Sequence, residues 1–161
     1  MPSHFLMESP IGTLTLVKTD GMLSGLYMGH PDLRREQLGA QAGSGFEDVV
    51  HELGEYFERK RTAFTVPIAP EGTTFQQRVW SELQTIPYGE TRSYLELAQA
   101  IGKPSAMRAV GAANGRNPIS IIVPCHRVIG SNGTLVGYGG GLERKQFLLD
   151  LEQANGPRSL W

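Results

Sequence analysis

The chain has 161 residues, 40% of them apolar and 19% charged, with a formal net charge of −1 and a single cysteine. Such a composition describes an ordinary globular chain, long enough for one compact domain or two small ones. It excludes an internal disulfide and a multi-cysteine zinc site, and no apolar run approaches the roughly 20 residues that cross a bilayer.

The opening Met1-Pro2-Ser3-His4-Phe5-Leu6 carries neither the basic nor the long apolar segment of a secretory leader. A soluble protein of a reducing, cytoplasmic compartment is the expectation. Residues 4–8 read as a short strand, Pro10-Ile11-Gly12 as a turn, and Leu14, Leu16 and Lys18 as a second strand with period-two alternation. Asp20-Gly21 is a hairpin signal, followed by a third strand over residues 23–28. Residues 29–45 have weak periodicity and read as a loop or short helix. Val49, Val50, Leu53, Tyr56 and Phe57 mark an amphipathic helix, with Glu52, Glu55 and Glu58 toward water. His30 and His51 lack metal-ligand spacing. Arg59-Lys60-Arg61 reads as a solvated helix end, where cations complement the macrodipole, rather than as a nucleic-acid patch. Phe64-Thr65-Val66 is a candidate strand, and residues 67–72 cross to the second half.

Thr73 or Thr74 caps the next helix, with Gln76 or Gln77 completing a capping box. Phe75, Val79, Leu83 and Ile86 fall on one face of it, and Pro87-Tyr88-Gly89 stops it. Ser93 caps a short helix with Glu96 at the box position and Leu95, Leu97 and Ala98 as its apolar residues; Gly102 ends it. Pro104 or Ser105 opens another, which Asn114-Gly115 halts. Two short helices joined by a glycine-containing turn match a helix-turn-helix, a pairing that also serves plain packing. The second helix is nearly bare: Ala106, Ala109, Gly111, Ala112 and Ala113 accompany Met107 and Arg108. Its backbone can press close to another surface, either within the protein or outside it.

Residues 119–123 are apolar apart from Ser120 and mostly β-branched, and read as a short buried strand ending at Pro124, which cannot donate to a sheet ladder. The turn then delivers Cys125, followed by His126 and Arg127. A lone cysteine is commonly an inert core residue. Neighbouring cations, however, lower a thiol's pKa from about 8.5 and favour the reactive thiolate. After Ser131-Asn132-Gly133, a hairpin turn, the run Gly137-Tyr138-Gly139-Gly140-Gly141 precedes an apolar helix from Leu142 to Leu151. A glycine loop carrying an aromatic beside that cysteine reads as a pocket wall. Charge is asymmetric: residues 1–72 hold six Lys and Arg against ten Asp and Glu, and residues 73–161 hold nine against six. Nucleic-acid binders usually show a larger basic excess. On charge alone DNA is permitted rather than indicated.

Taken together, Ile86-Pro87-Tyr88-Gly89-Glu90-Thr91, Arg108-Ala109-Val110-Gly111, Asn117-Pro118, Pro124-Cys125-His126-Arg127-Val128 and Gly137-Tyr138-Gly139-Gly140-Gly141 resemble the O6-alkylguanine-DNA alkyltransferase (methylated-DNA–protein-cysteine methyltransferase) family. The resemblance is strong over residues 73–153 and only in outline before them. It implies an α/β fold: a small N-terminal antiparallel sheet with a helix, residues 1–72, and a mainly helical DNA-binding domain, residues 73–161, containing a helix-turn-helix and the acceptor cysteine. It also implies direct, single-turnover DNA repair, in which the alkyl group of O6-alkylguanine, and of O4-alkylthymine, passes to Cys125 after the nucleotide is flipped through the minor groove.

By the same resemblance His126 is the base that activates Cys125 through a water, and Glu152 orients His126. Asn117 organises the turn around the thiol. Tyr94 helps rotate the nucleotide and donates a proton to the leaving base. Arg108 is the finger that fills the vacated stack, with Ala109, Gly111, Ala112 and Ala113 along the DNA. Tyr138, Gly139, Val128 and Met107 line the substrate pocket. Some relatives carry a serine where Gly139 stands; glycine removes that hydroxyl and leaves room for bulkier alkyl groups. Double-stranded DNA containing O6-alkylguanine is the implied partner, with no cofactor and no metal, and with a monomer in solution that can cluster on DNA. Three rivals are a non-catalytic alkylated-DNA-binding module of the alkyltransferase-like type, a cysteine hydrolase and a helix-turn-helix regulator. The first replaces the acceptor cysteine that this chain retains. The second is disfavoured because adjacent side chains on an extended backbone point to opposite faces, which strains a direct Cys125–His126 bond.

Overall fold

In the computed structural model, which describes residues 1–29, 35–130 and 141–153, the first three strands form the meander that the sequence predicts. β1 (Pro2–Ser9), β2 (Gly12–Thr19) and β3 (Met22–Met28) pair antiparallel, with Leu16 opposite Phe5 on one side and Leu26 on the other. Asp20 and Gly21 turn the second hairpin with φ of 53° and 81°, the left-handed pair that matches strand twist. β2 is the central strand, and Leu14, Thr15, Leu16 and Val17 are all buried, so both its faces are covered. Thr15 satisfies its hydroxyl by donating to the Gly29 carbonyl at 3.0 Å.

Residues 29–45 contain more than a loop or short helix. After α1 (Arg35–Leu38), β4 (Ala40–Gln41) joins the sheet parallel to β1, giving the order β3-β2-β1-β4. Gly39 permits this junction: its φ is +70°, and a Cβ there would lie 1.8 Å from the Pro2 carbonyl oxygen. Two residues of edge strand leave no periodic signal to read.

α2 (Glu47–Phe57) buries Val49, Leu53 and Tyr56, and Phe46 before it stacks on Phe5 at 5.7 Å. Glu52 departs from the expected solvent face. It is 6% exposed and accepts from the Thr65 N–H at 2.8 Å, the Val66 N–H at 3.3 Å and the Thr65 hydroxyl, with Arg61 at 3.5 Å. The same bonds explain why residues 64–66 form no strand: a carboxylate, not a neighbouring strand, takes the amide protons of Thr65 and Val66. Arg61 lies against Glu55 at 2.8 Å instead of standing solvated at a helix end. The chain then bridges the sheet edge at Ile68, parallel to Leu23, before this compact unit closes at Pro70.

The second unit, Glu71–Trp161, is mainly helical. Thr73 caps α3 (Thr74–Leu83) in a full capping box with Gln76, and Val79, Trp80 and Leu83 are buried. Ser93 and Glu96 form the same box at α4 (Tyr94–Ala100). Gly102, at φ +76°, turns the chain into a single 3₁₀ turn, Pro104–Ala106, that runs into α5 (Met107–Gly115). α4 and α5 pack together as a helix-turn-helix, with α5 also against α3, where the Trp80 indole donates to the Ala113 carbonyl at 2.8 Å. Leu97 and Ala98 are core, but Leu95, expected among the apolar residues of α4, is 38% exposed. β5 (Arg92–Ser93) pairs parallel with β6 (Val128–Ile129), and α6 (Leu142–Gln153) closes the described chain. Among the described residues no helix is long and apolar enough to cross a membrane.

Because Glu52 satisfies two backbone donors and a hydroxyl in a buried position, Glu52→Ala is expected to destabilise the protein by about 2–3 kcal/mol. Glu55→Ala, which removes a half-exposed pair, should cost less than about 1 kcal/mol. Denaturant unfolding that ranks the two in the opposite order would refute the role given to Glu52.

Candidate active site

The apolar run before the cysteine is a turn, not the expected strand. Asn117 organises it: its Nδ2 donates to the carbonyls of Val123 at 2.7 Å and Ile119 at 3.4 Å, while its Oδ1 accepts from the Ile119 N–H at 3.0 Å. The Val123 N–H returns to the Ile119 carbonyl at 3.0 Å. Ile119, Ile121 and Val123 are buried all the same, so the run is apolar core without being a strand. Ile121 holds φ at +72°, an outlier for a β-branched residue that persists only where its surroundings enforce it.

Pro124 then starts a single 3₁₀ turn, Cys125–Arg127, which leads into β6. Cys125 is 5% exposed and His126 is fully buried. The imidazole Nε2 lies 2.6 Å from Glu152 Oε2. Arg127 straddles the same carboxylate, Nε donating to Oε1 at 2.8 Å and Nη2 to Oε2 at 3.0 Å, and its Nη1 donates to the Ile86 carbonyl at 2.7 Å. The Tyr88 ring lies under the guanidinium at 5.8 Å. Arg127 therefore serves Glu152, not, as its place in sequence suggests, the thiol.

Burial pushes the His126 pKa down, Arg127 and Lys145 push the same way, and Glu152 only partly opposes them. Burial alone would raise the Glu152 pKa, but His126 and Arg127 outweigh it and hold it at about 2. The charges on His126 and Glu152 are not both present at neutral pH. A neutral imidazole donates its Nε2 proton to the carboxylate, and Arg127 supplies the positive charge that keeps Glu152 ionised. That tautomer leaves a lone pair on Nδ1, which is buried and has no hydrogen-bond partner among the described residues.

Three further side chains complete the surroundings. Lys145, from α6, is fully buried and donates to the Val128 carbonyl at 2.6 Å. Burial lowers its pKa, while the nearby Cys125 sulfur raises it. Asn114, from the end of α5, is 4% exposed; its amide donates to the Cys125 carbonyl at 3.4 Å and bonds the Tyr94 hydroxyl. Tyr94, at the start of α4, has its pKa raised by burial and by the proximity of Cys125. Its ring lies over Gly111, where a Cβ would meet it at an ordinary 3.8 Å. Reading the sequence missed Lys145 and Asn114. A lysine inside an otherwise apolar helix and an asparagine at a helix end both pass as solvent-facing until burial is known.

Cys125, His126, Glu152, Asn117, Tyr94 and Val128 thus belong to one neighbourhood of the second unit. Arg108, Ala109 and Ala112 are exposed on α5, with Gly111 intermediate. Ala113 is a correction: at 2% exposure it faces α3 and cannot lie along a DNA surface. Met107, expected in the pocket wall, is 45% exposed on the first turn of α5. Tyr138, Gly139 and the turn at 131–133 lie outside the described residues, as does His30. Among the described residues no group of three or more His, Cys, Asp or Glu could hold a metal ion.

Fold and site together define a two-unit protein in which the helix-turn-helix unit carries a buried cysteine beside a histidine, arginine and glutamate cluster. Comparison with known proteins makes this specific. Residues 74–154 match the family described as 6-O-methylguanine DNA methyltransferase, DNA binding domain, and residues 4–70 match its ribonuclease-like domain. A methylated-DNA–protein-cysteine methyltransferase of Mycolicibacterium paratuberculosis is 52% identical over 161 residues, covering 99% of this chain and 98% of that one. One from Methanosarcina barkeri is 48% identical over 93% of this chain and 96% of that one. The crystal structure of Mycobacterium tuberculosis OGT in complex with DNA superposes with a TM-score of 0.89 at 51% identity, covering 98% of this chain and 97% of that one. The chain belongs to the 6-O-methylguanine DNA methyltransferase family.

Both depressed pKa values give stability that is lost on acidification. For His126 the loss begins below its ordinary 6.5, and for Glu152 it runs from 4.5 down toward about 2. The Glu152 share alone is on the order of 3 kcal/mol. Unfolding free energy should therefore fall steadily from about pH 6.5 to pH 2. Glu152→Gln should be less stable at pH 7 by about 3–5 kcal/mol, because Arg127 is left buried and unpaired, and its stability should vary less between pH 5 and 2. An unchanged acid profile in Glu152→Gln would refute the assignment.

Proposed function

We propose that the protein repairs DNA by taking the alkyl group of O6-alkylguanine, and of O4-alkylthymine, onto Cys125 in a single irreversible event. The observation that carries this reading is the buried Cys125 next to a histidine whose Nε2 is held by an ionised carboxylate and whose Nδ1 lone pair is left to act as a base. His126 accepts the thiol proton through an intervening water. The buried Lys145 ammonium favours the thiolate. Sulfur then attacks the alkyl carbon; the S–C bond forms as the C–O6 bond breaks, and the electron pair passes to the guanine ring, whose O6 becomes a carbonyl. Tyr94 protonates the departing base. The product thioether has no acyl or disulfide bond to cleave, so each molecule acts once.

A base inside a duplex cannot reach a buried sulfur, so the nucleotide is flipped out at a cost of a few kcal/mol, least for a damaged pair. The exposed, nearly bare surface of α5 fits a minor groove, with Arg108 as the long side chain that enters the stack. Recognition by pocket and shape agrees with the chain's mild charge. The active species in this scheme is a monomer. Retention of Cys125 weighs against a lesion-binding module without transfer.

Intact mass measured after mixing with an oligonucleotide carrying one O6-methylguanine should show one methyl group gained per molecule, located on Cys125, and no further repair on adding more substrate. Cys125→Ser should bind the same DNA and gain nothing. Lys145→Met should slow transfer by about 10- to 100-fold without a matching loss of DNA affinity. Repeated turnover, or an unmodified thiol in repaired mixtures, would overturn the reading.

A further inference from the structure

Asn114 is a buried side chain that touches both the turn bearing Cys125 and the proposed acid. It stands on the last turn of α5, 4% exposed, between the Cys125 carbonyl and the Tyr94 hydroxyl. An asparagine amide has two N–H donors on one atom and an acceptor oxygen on the other. Turned over, it would set oxygen against the Cys125 carbonyl oxygen, so that carbonyl selects the orientation with Nδ2 facing it. Oδ1 has no hydrogen-bond partner among the described residues. The bond to Tyr94 therefore also starts from Nδ2, and the tyrosine oxygen is its acceptor.

This direction has a chemical consequence. A hydroxyl that accepts from an N–H cannot aim its own proton at that donor, so the O–H is turned elsewhere. Were the tyrosine bonded to Oδ1, its proton would be held by the asparagine. We propose that Asn114 is a positioning residue for alkyl transfer: anchored on the Cys125 carbonyl, its amide donates to the Tyr94 hydroxyl and so directs the tyrosine's proton toward the leaving base. A donor on the oxygen also stabilises the tyrosinate left after transfer, partly offsetting the burial that raises the Tyr94 pKa. One side chain thereby sets both the orientation of the acid and its distance from the turn that holds the sulfur. The inference rests on the role given to Tyr94 above.

A double-mutant cycle separates this from a helix-end packing role. Single-turnover transfer from a duplex carrying O6-methylguanine is measured for the wild type, Asn114→Ala, Tyr94→Phe and the double variant. Each single change should slow transfer by about 10- to 100-fold, and the double variant should be no slower than Tyr94→Phe within about twofold. The Tyr94 titration, followed by isotope-labelled tyrosine resonances, should move upward in Asn114→Ala. Asn114→Leu, with the same branching of its side-chain heavy atoms and without a donor, gives the same tests if the alanine variant does not fold. Additive losses in an active protein, a Tyr94 titration that does not move, or full activity in Tyr94→Phe would each overturn the inference. Wild-type protein that leaves Cys125 unalkylated would overturn the functional reading itself, and the inference with it.

Discussion

The second unit is organised around a carboxylate with almost no access to water. Glu152 is 2% exposed and receives both the Arg127 fork and the His126 ring. Through these bonds α6 is fastened to the turn that carries the cysteine, and through the Ile86 carbonyl to the loop after α3. A buried carboxylate of this kind is expensive unless its oxygens are paired. Here the arginine supplies the compensating charge and the histidine remains a neutral donor. The imidazole is thereby fixed in one tautomer, with its basic nitrogen on the side away from the acid.

The nucleophile's immediate surroundings follow a different principle. A thiol nine-tenths or more buried would normally be inert, because a low-dielectric interior disfavours the thiolate. Two features counter that tendency. Lys145 brings an amine into the interior near the sulfur, and Asn117 holds the Ile119 and Val123 carbonyls around Ile121, whose backbone region its side chain disfavours. Strain of this kind clusters where geometry matters more than stability. The two units also differ in how they spread their polar groups. In the sheet unit the buried carboxylate of Glu52 ties down a loop through backbone donors, whereas Glu152 holds two side chains, His126 and Arg127.

Much of the architecture was legible because it depends on neighbours in sequence. Thr73 with Gln76 and Ser93 with Glu96 announced two helix starts, and Gly102 a helix end, since capping is a matter of three or four residues. The alternation of β1 to β3 and the Asp20-Gly21 turn are equally local. The run Cys125-His126-Arg127 after Pro124 marked the candidate site as a stretch of sequence. Errors fell where a distant partner decided the outcome. Residues 119–123 are as apolar as a strand, yet the Asn117 amide captures their carbonyls. Residues 64–66 have strand composition, yet Glu52 takes the amide protons of Thr65 and Val66.

By itself, then, the order of residues determined the helix starts and the meander, because each follows from interactions a few positions apart. Only the tertiary structure decided that Arg127 serves Glu152 and not the thiol, that Lys145 lies inside rather than in water, that Ala113 faces inward, and that Asn114 joins Tyr94 to the cysteine turn. Those outcomes depend on which groups lose their water together. Contacts across 20 or more positions, such as Arg127 to Glu152 and Lys145 to Cys125, leave no local pattern in the chain.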